Sequence, residues 1–338
     1  MANYTRMLSA AIRAVSDACQ VCREVQRNMA AVRAITKEDK SPVTVADFGC
    51  QAVVANRLRE QLDEVILVGE ETSAHLRNPD HASELTATMA AVQGVWPEVT
   101  EESLLDAIDI GAADAHHPGF WTLDPIDGTK GFLRGGQYAV SLAYIERGEV
   151  IIGVLGSPNL ARGFDRPFDQ PDRHGCIHYA LRNNGAFELP ADEPDAHAVQ
   201  LQPPARADGE PIRFAMSVEE SHSDQNLMAR IVQRLGGDLV PARLDSQAKY
   251  AVVARGQADA YIRIPTRPGY QEWIWDHAAG AIIASESNCA VTDVDGHQLD
   301  FSQGKRLAKN RGIVAAPPRA HGIILGVMRE LGIGGGTG

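Results

Sequence analysis

Apolar positions recur at three- and four-residue steps through Leu8, Ile12, Val15, Cys19, Cys22 and Val25, which predicts an amphipathic helix over residues 7–27. Residues 37–44 are charged and broken by Pro42, so they read as a loop, and helical spacing returns through Val54, Leu58 and Leu62 over residues 47–62. The apolar run at 65–68 ends in Gly69-Glu70-Glu71, the pattern of a buried strand that delivers two acids at its C-terminal end. Residues 72–119 mix helical patches with Pro and His, and only 104–110 reads plainly as helix. Strands follow at 120–123, 138–146 and 150–157, the last two joined as an antiparallel hairpin by Arg147-Gly148; Asn183-Asn184-Gly185 marks another hairpin. Residues 190–211 are rich in Pro, Asp and Ala without periodicity, which places a domain boundary near residue 209 and divides the chain into 1–209, an α+β domain, and 210–338, an α/β domain. In the second part, apolar runs at 212–216, 239–241, 258–264, 289–292 and 312–315 alternate with helical patterns at 227–235 and 276–286, as in α/β layering. The Gly-rich end, 332–338, reads as disordered, and no internal repeat is present.

A chain of 338 residues exceeds what one hydrophobic core usually fills, which agrees with two packed domains. Apolar residues make up 44% and charged residues 22%, the usage of an ordinary globular enzyme rather than a fibrous or disordered chain. The 44 acidic against 32 basic side chains, net -12, and the lack of a long Lys/Arg run argue against a surface for coating nucleic acid. An acidic protein that handles an anionic substrate needs metal ions and a few local cations inside its cleft. The five cysteines are odd in number and scattered, so they read as buried thiols of a reducing compartment. With no secretory signal and no stretch apolar enough to span a bilayer, the chain reads as cytoplasmic.

The chemistry concentrates in Trp121-Thr-Leu-Asp-Pro-Ile-Asp-Gly-Thr-Lys-Gly-Phe-Leu-Arg134, where Asp124 and Asp127 fall on a turn just after a short apolar strand. Pro125 and Gly128 fix the backbone, so the carboxylates converge, and like charges held close resist ionising together. A divalent cation removes that conflict and supplies a Lewis acid for phosphate-ester hydrolysis. Asp47, Glu70, Glu71 and Asp276 stand at other strand ends or helix starts. Each alone has an ordinary explanation, as an N-cap, a solvated loop or a turn residue. Together, acids from several segments are the usual means of building a magnesium site, since that ion wants hard oxygen ligands. The spacings of Asp124 to Gly128 and of Asp293-Val294-Asp295-Gly296 exclude a calcium EF-hand loop. Phosphate-loop, serine-hydrolase and zinc-protease motifs have no match.

Val68-Gly69-Glu70-Glu71, Asp124-Pro125-Ile126-Asp127-Gly128-Thr129 and Trp275-Asp276-His277-Ala278-Ala279-Gly280 together resemble the inositol-monophosphatase-like superfamily of magnesium-dependent, lithium-sensitive phosphatases. Within it, Ser41-Pro42-Val43-Thr44, Lys130-Gly131-Phe132-Leu133-Arg134-Gly135, Ser157-Pro158-Asn159-Leu160 and Asp245-Ser246-Gln247-Ala248-Lys249-Tyr250 are similar to the 3'(2'),5'-bisphosphate nucleotidase branch. The resemblance runs from about Leu8 to Pro317 and implies a five-layered αβαβα sandwich of the inositol monophosphatase and fructose bisphosphatase type. It implies that Glu70, Asp124 and the carbonyl of Ile126 hold one Mg²⁺, and that Asp124, Asp127 and Asp276 hold a second. Glu71 would help with a third, and Asp47 and Thr129 would activate the attacking water. Backbone N–H groups of Gly128, Thr129 and Lys130 would receive the phosphate that is cleaved, while His222, Ser246, Lys249 and Arg263 would bind the nucleotide.

The implied reaction removes the 3'-phosphate of adenosine 3',5'-bisphosphate to give AMP, a step of sulfur metabolism, with the 5'-phosphosulfate analogue as a second substrate. Lithium and excess calcium would inhibit it. An inositol mono- or bisphosphate phosphatase and a non-catalytic magnesium or nucleotide binder remain as alternatives. Partners would be small phosphorylated nucleotides, with no nucleic-acid polymer and no membrane; the oligomeric state stays open, a monomer being compatible. By its own pattern Lys249 also fits a solvated helix face. Arg263 interrupts an apolar run, where a charge must find a partner or the mouth of a pocket. Gly136 stands where the nucleotidase branch usually has Glu, which leaves the fit of that loop to substrate open.

Overall fold

The computed structural model describes residues 3–28, 45–164, 166–203, 210–218, 225–236, 238–264, 267 and 269–333. One sheet has seven strands in chain order, β1 (Leu67–Gly69), β2 (Gly119–Asp127), β3 (Ala139–Glu146), β4 (Glu149–Ser157), β5 (Cys176–Leu181), β6 (Ala186–Pro190) and β7 (Val199–Gln200). Strands β1 and β2 are parallel and every later pair is antiparallel. The other sheet has five strands, β8 (Ile212–Met216), β9 (Leu239–Arg243), β10 (Ala260–Arg263), β11 (Ala290–Thr292) and β12 (Ile313–Ala316), in the order β11-β12-β10-β8-β9. Here β8 runs parallel to β9 and β10, and β12 antiparallel to β10 and β11.

Helices fill the layers around and between the sheets. Helices α1 (Tyr4–Arg27) and α2 (Val45–Gln61) cover the outer face of the first sheet, with α3 (Ala82–Val92) and α4 (Glu101–Asp109) packed on α2 and the short α5 (Thr129–Arg134) after β2. Helix α6 (Gln225–Leu235) and α9 (Pro318–Glu330) pack together outside the second sheet, while α7 (Ala248–Ala254) and α8 (Ala278–Glu286) lie between the two sheets. Three cores result. Trp121, Leu123, Phe132 and Val154 sit under α1 and α2; Ala139, Ala143, Leu155, Ala279 and Ile283 sit between the sheets; Phe214, Ile231, Ile324 and Met328 sit under α6 and α9. Three cores between five layers make the αβαβα sandwich.

The hairpin turns fall at Arg147-Gly148 and Asn183 to Gly185, where φ is 53° at Arg147, 80° at Gly148, 63° at Asn183 and 84° at Gly185. Strand β2, by contrast, does not end before the acidic pair but runs through it, with its register against β3 shifting between Asp124 and Asp127. Pro125 has no N–H to give the ladder, and an irregularity absorbs the loss. Helix α8 starts at Ala278, two residues past Asp276. Two helices have no legible stripe, since short Ala and Thr side chains blur α3 and every residue of α7 is buried, while α9 carries one at His321, Ile324, Val327 and Met328 that Gly322 and Gly326 interrupt. The division expected near residue 209, the Ser41 to Thr44 motif and the Gly-rich tail beyond Ile333 lie outside the described residues; on either side of that division the chain leaves the first sheet at Gln200 and enters the second at Ile212. Among the described residues no helix is long and apolar enough to cross a membrane.

Strand β4 is squeezed from both faces. A Cβ at Gly156 would stand 2.5 Å from Cys19 Sγ of α1, and one at Gly153 would stand 2.4 Å from Ile282 Cγ2 and 2.9 Å from the Ala279 carbonyl of α8. Odd spacing puts the two glycines on opposite faces of the pleat, so each permits one helix layer to close onto the sheet. Gly153→Ala should therefore force α8 away and cost about 1–3 kcal/mol, read as a lower urea midpoint at an unchanged slope.

Candidate active site

The irregular end of β2 turns the chain sharply into α5. Gly128, at φ 86°, occupies the left-handed region, and a Cβ there would also lie 2.9 Å from Ser246 Cβ. Glycine is needed on both counts. Ser246 itself has φ 71° and is buried, its Oγ accepting from the Ala248 N–H at 3.1 Å. Thr129 Oγ1 donates to the Ile126 carbonyl at 3.3 Å. Residues 124–130 are thus seated against residues 245–249, which come from the far side of the molecule in sequence.

A neutral hydrogen-bond frame fixes the acids. Gln247 donates its N–H to Asp127 Oδ2 at 2.5 Å and its side-chain amide to the Trp275 carbonyl at 2.8 Å, and its Oε1 accepts from Gly280 N–H at 3.1 Å. Ser141, opposite Asp124 in the ladder, donates its Oγ to the same Trp275 carbonyl at 3.2 Å. This brings Asp276 over the end of β2. Gln51, one turn after Asp47 in α2, is fully buried and clamps Glu71 by its carbonyl at 2.7 Å and its N–H at 3.0 Å. Asp47 is buried inside the first turn of α2, and Asp276 does not cap α8, whose N-cap is His277.

The acids repel one another. Burial, then Glu70, Asp127, Asp276 and Asp47 in that order, push the Asp124 carboxyl well above the ordinary carboxylate range. Asp276 is pushed up to about 8 by burial and by Asp127, with Arg263 opposing. Burial also raises Asp127, against the pull of Lys249 and the Gln247 N–H. Burial and Glu70 take Glu71 to about 7. Glu70 is raised by burial and by Asp127, although its exposure to the cleft lets solvent screen part of the effect. Among the described residues Asp124 Oδ1 is buried without a hydrogen-bond partner. Oxygen donors crowded around an orphaned carboxylate oxygen fit a hard divalent cation.

The opposite wall is cationic. A cleft of about 350 Å³ runs from Asp127 and Asp276 to Lys249, Tyr261 and Arg263, within the usual range for small-ligand sites. Lys249 is buried, not on a solvated face; burial lowers its ammonium to about 8, with Asp127 opposing, and it lies 5.4 Å from the Tyr261 ring centroid. Arg263 is held by Glu272, Nε to Oε1 at 2.9 Å and a second contact at 2.8 Å, and reaches Asp276 at 4.0 Å. So Arg263 finds both a partner and the mouth of a pocket. Lys130 and Thr129 line the same cleft, whereas His222 lies outside the described residues. Gly136 leaves room: a Cβ there would come no closer than 3.5 Å to its surroundings, and the Gly136 carbonyl is held by Asn159 Nδ2 at 2.7 Å.

Sequence reading missed Gln51, Gln247 and Glu272, which position the acids and Arg263. The spacing of Asp47 and Gln51, four residues apart on one helical face, was the available signal for Gln51; the other two act across contacts that only the folded chain makes.

The profile of the inositol monophosphatase family matches residues 3–332. A 3'(2'),5'-bisphosphate nucleotidase of Schizosaccharomyces pombe is 38% identical over 308 residues, covering 88% of this chain and 86% of the relative. A 3'(2'),5'-bisphosphate nucleotidase 1 of Arabidopsis thaliana is 39% identical over 344 residues, covering 97% and 96%. An inositol monophosphatase structure from Anabaena (Nostoc) superposes with a TM-score of 0.58 at 18% identity, covering 97% of each chain, a likeness of fold.

The raised acids make the metal-free protein pH-sensitive in a defined direction. An acid whose folded pKa is raised binds more protons folded than unfolded, so stability is full below the unfolded value near 4 and is lost as pH climbs through the folded value, about 8 for Asp276. In EDTA the melting temperature should fall between pH 5 and pH 8, and millimolar Mg²⁺ should raise it most at the upper end. A flat profile without metal would show that the carboxyls do not crowd one another.

Proposed function

Because the chain belongs to the inositol monophosphatase family, we propose that it is a metal-dependent 3'(2'),5'-bisphosphate nucleotidase, which hydrolyses the 3'-phosphate of adenosine 3',5'-bisphosphate to AMP and phosphate in the cytoplasm. The observation that carries this is the meeting, in one cleft, of an acid cluster with Lys249 and Arg263 on the facing wall. A bisphosphate brings two anionic groups. One belongs over the acids and their metal, and the other needs fixed cations to replace its hydration. Lys249 is the stronger of the two for this task, since Glu272 already balances Arg263.

The donor set fits magnesium. Glu70, Asp124, the Ile126 carbonyl, Asp127 and Asp276 would hold two ions, with Glu71 at hand for a third. Bound there, magnesium supplies charge neutralisation at the phosphoryl oxygens and acidifies a water. The protein's own part is placement and proton transfer. Gly128, in its left-handed conformation, opens α5 so that the N–H groups of residues 128–130 face the phosphate to be cleaved. The Thr129 hydroxyl exchanges its 3.3 Å bond to Ile126 for one to Asp47, and takes a proton from the attacking water as its own passes to the Asp47 carboxylate. Ser246 and Lys249 hold the nucleotide from the opposite wall. The 5'-phosphosulfate analogue differs only at the group that Lys249 and Arg263 face, so it should also be turned over.

An inositol phosphatase is the second reading, favoured by the fold shared with the Anabaena enzyme. Phosphate release with Mg²⁺ from adenosine 3',5'-bisphosphate should exceed that from inositol 1-phosphate; equal or faster inositol turnover would reject the nucleotidase reading. Asp124→Asn should lower kcat by at least about 10²-fold with an unchanged circular dichroism spectrum. Lys249→Ala should instead act mainly on KM, raising it about tenfold, a loss of about 1.4 kcal/mol. In the wild-type enzyme KM should climb as pH rises through about 8, where Lys249 loses its charge; a KM independent of pH in the alanine variant links the two effects.

A further inference from the structure

Among the described residues, two more groups of metal-ligating side chains gather outside the cleft. Cys176, His178 and Glu188 are buried together, but Glu188 already accepts from His178 at 3.0 Å and lies 3.3 Å from Arg255, so its charge is spent on a resident cation. The second group is His75, His81 and Glu84, whose donor atoms all lie within 4.8 Å of one another. His75 Nε2 meets one Glu84 oxygen at 2.5 Å, and His81 Nδ1 meets the other at 3.3 Å. We propose that these three side chains form a second metal site, for a borderline divalent transition ion of the zinc class, distinct in place and chemistry from the acid cluster.

Donor type selects the ion. Imidazole nitrogens suit zinc, nickel and copper and are poor ligands for magnesium, so magnesium would not fill this site. Two His and one Glu leave the fourth position of a tetrahedron to water, which the half-exposed imidazoles admit, their side chains being 42% and 29% accessible. A tetrahedron with bonds of ~2.0 Å has edges of roughly 3.3 Å, the separation already seen between His81 and Glu84.

The frame around the site is built before any ion arrives. The two rings stack with centroids 3.8 Å apart, and His75 stacks in turn on Phe48, the residue after Asp47 in α2. Ser73 is anchored on Asp109 by its N–H at 3.0 Å and its Oγ at 2.6 Å, and Arg77 reaches Asp109 at 3.0 Å. Glu84 sits in the first turn of α3, where Thr88 Oγ1 bonds its carbonyl at 2.8 Å. Both ends of the ligand set are therefore fixed to helices, and only the ring rotations remain to be settled by binding.

The test uses full-length protein without a polyhistidine tag, held in saturating Mg²⁺ so that the acid cluster is filled. Calorimetric titration with Zn²⁺ should show one added equivalent in the wild type, weakened at least about tenfold in His81→Ala and in Glu84→Gln. Co²⁺ in place of Zn²⁺ should give ligand-field absorption that both variants lose; His81→Asn serves where the alanine variant fails to fold. Equal Zn²⁺ uptake by wild type and variants, or no uptake beyond the Mg²⁺-filled protein, would overturn the site. Because no readout is enzymatic, failure here leaves the nucleotidase reading untouched, and the reverse holds.

Discussion

The constraint on which this molecule turns is the confinement of like charges. Asp47, Glu70, Asp124, Asp127 and Asp276 come from four separate segments and meet at one cleft, with Asp47 and Asp124 buried at its floor. In a medium of low polarisability each ionised neighbour raises the cost of the next, so Glu70, Asp124, Asp127 and Asp276 hold protons above their ordinary range. Such an arrangement is unfavourable for stability by itself and persists only because the rest of the fold over-determines it. A hard divalent cation converts the same repulsion into binding energy.

What over-determines the site is uncharged. The Trp275 carbonyl accepts from both Ser141 and Gln247, Gln247 also ties Asp127 to the start of α8, and Gln51 locks the Glu71 backbone to α2. Amide and hydroxyl groups can hold acids in place without neutralising them, as arginine or lysine would. The contrast with Glu188 is instructive: burial raises its pKa, but the hydrogen bond from His178, then the charges of His178, Arg255 and Arg162, more than reverse this. One buried acid of the sandwich is fully compensated and structural; those at the cleft are left short of positive charge.

The layering serves the same end. Because Gly153 lets α8 settle onto the first sheet, and Gly280 lets the Tyr250 ring of α7 settle onto α8, the helix pair between the sheets is drawn close enough to carry Asp276, Gln247 and Lys249 to the end of β2. The cleft is thus lined partly by the end of the first sheet, which brings Asp127, and partly by elements that follow the crossing to the second, which bring Asp276, Lys249 and Arg263.

Sequence alone determined much of this. Periodicity found α1, the two hairpins and most strands of the second sheet because those signals are local: a stripe on one helix face, a turn residue that tolerates positive φ. The motifs around Glu70, Asp124 and Asp276 were legible because the chemistry of carboxylates does not depend on knowing their neighbours. Tertiary structure decided the rest. Lys249 reads as a surface residue until α7 is seen buried on all sides, Arg263 acquires its counter-ion only when Glu272 folds back onto it, and Gln51 and Gln247 gain their meaning from partners 20 to 120 residues away. Such contacts leave no period in the sequence, since distance in space, not spacing along the chain, sets an electrostatic or hydrogen-bond energy.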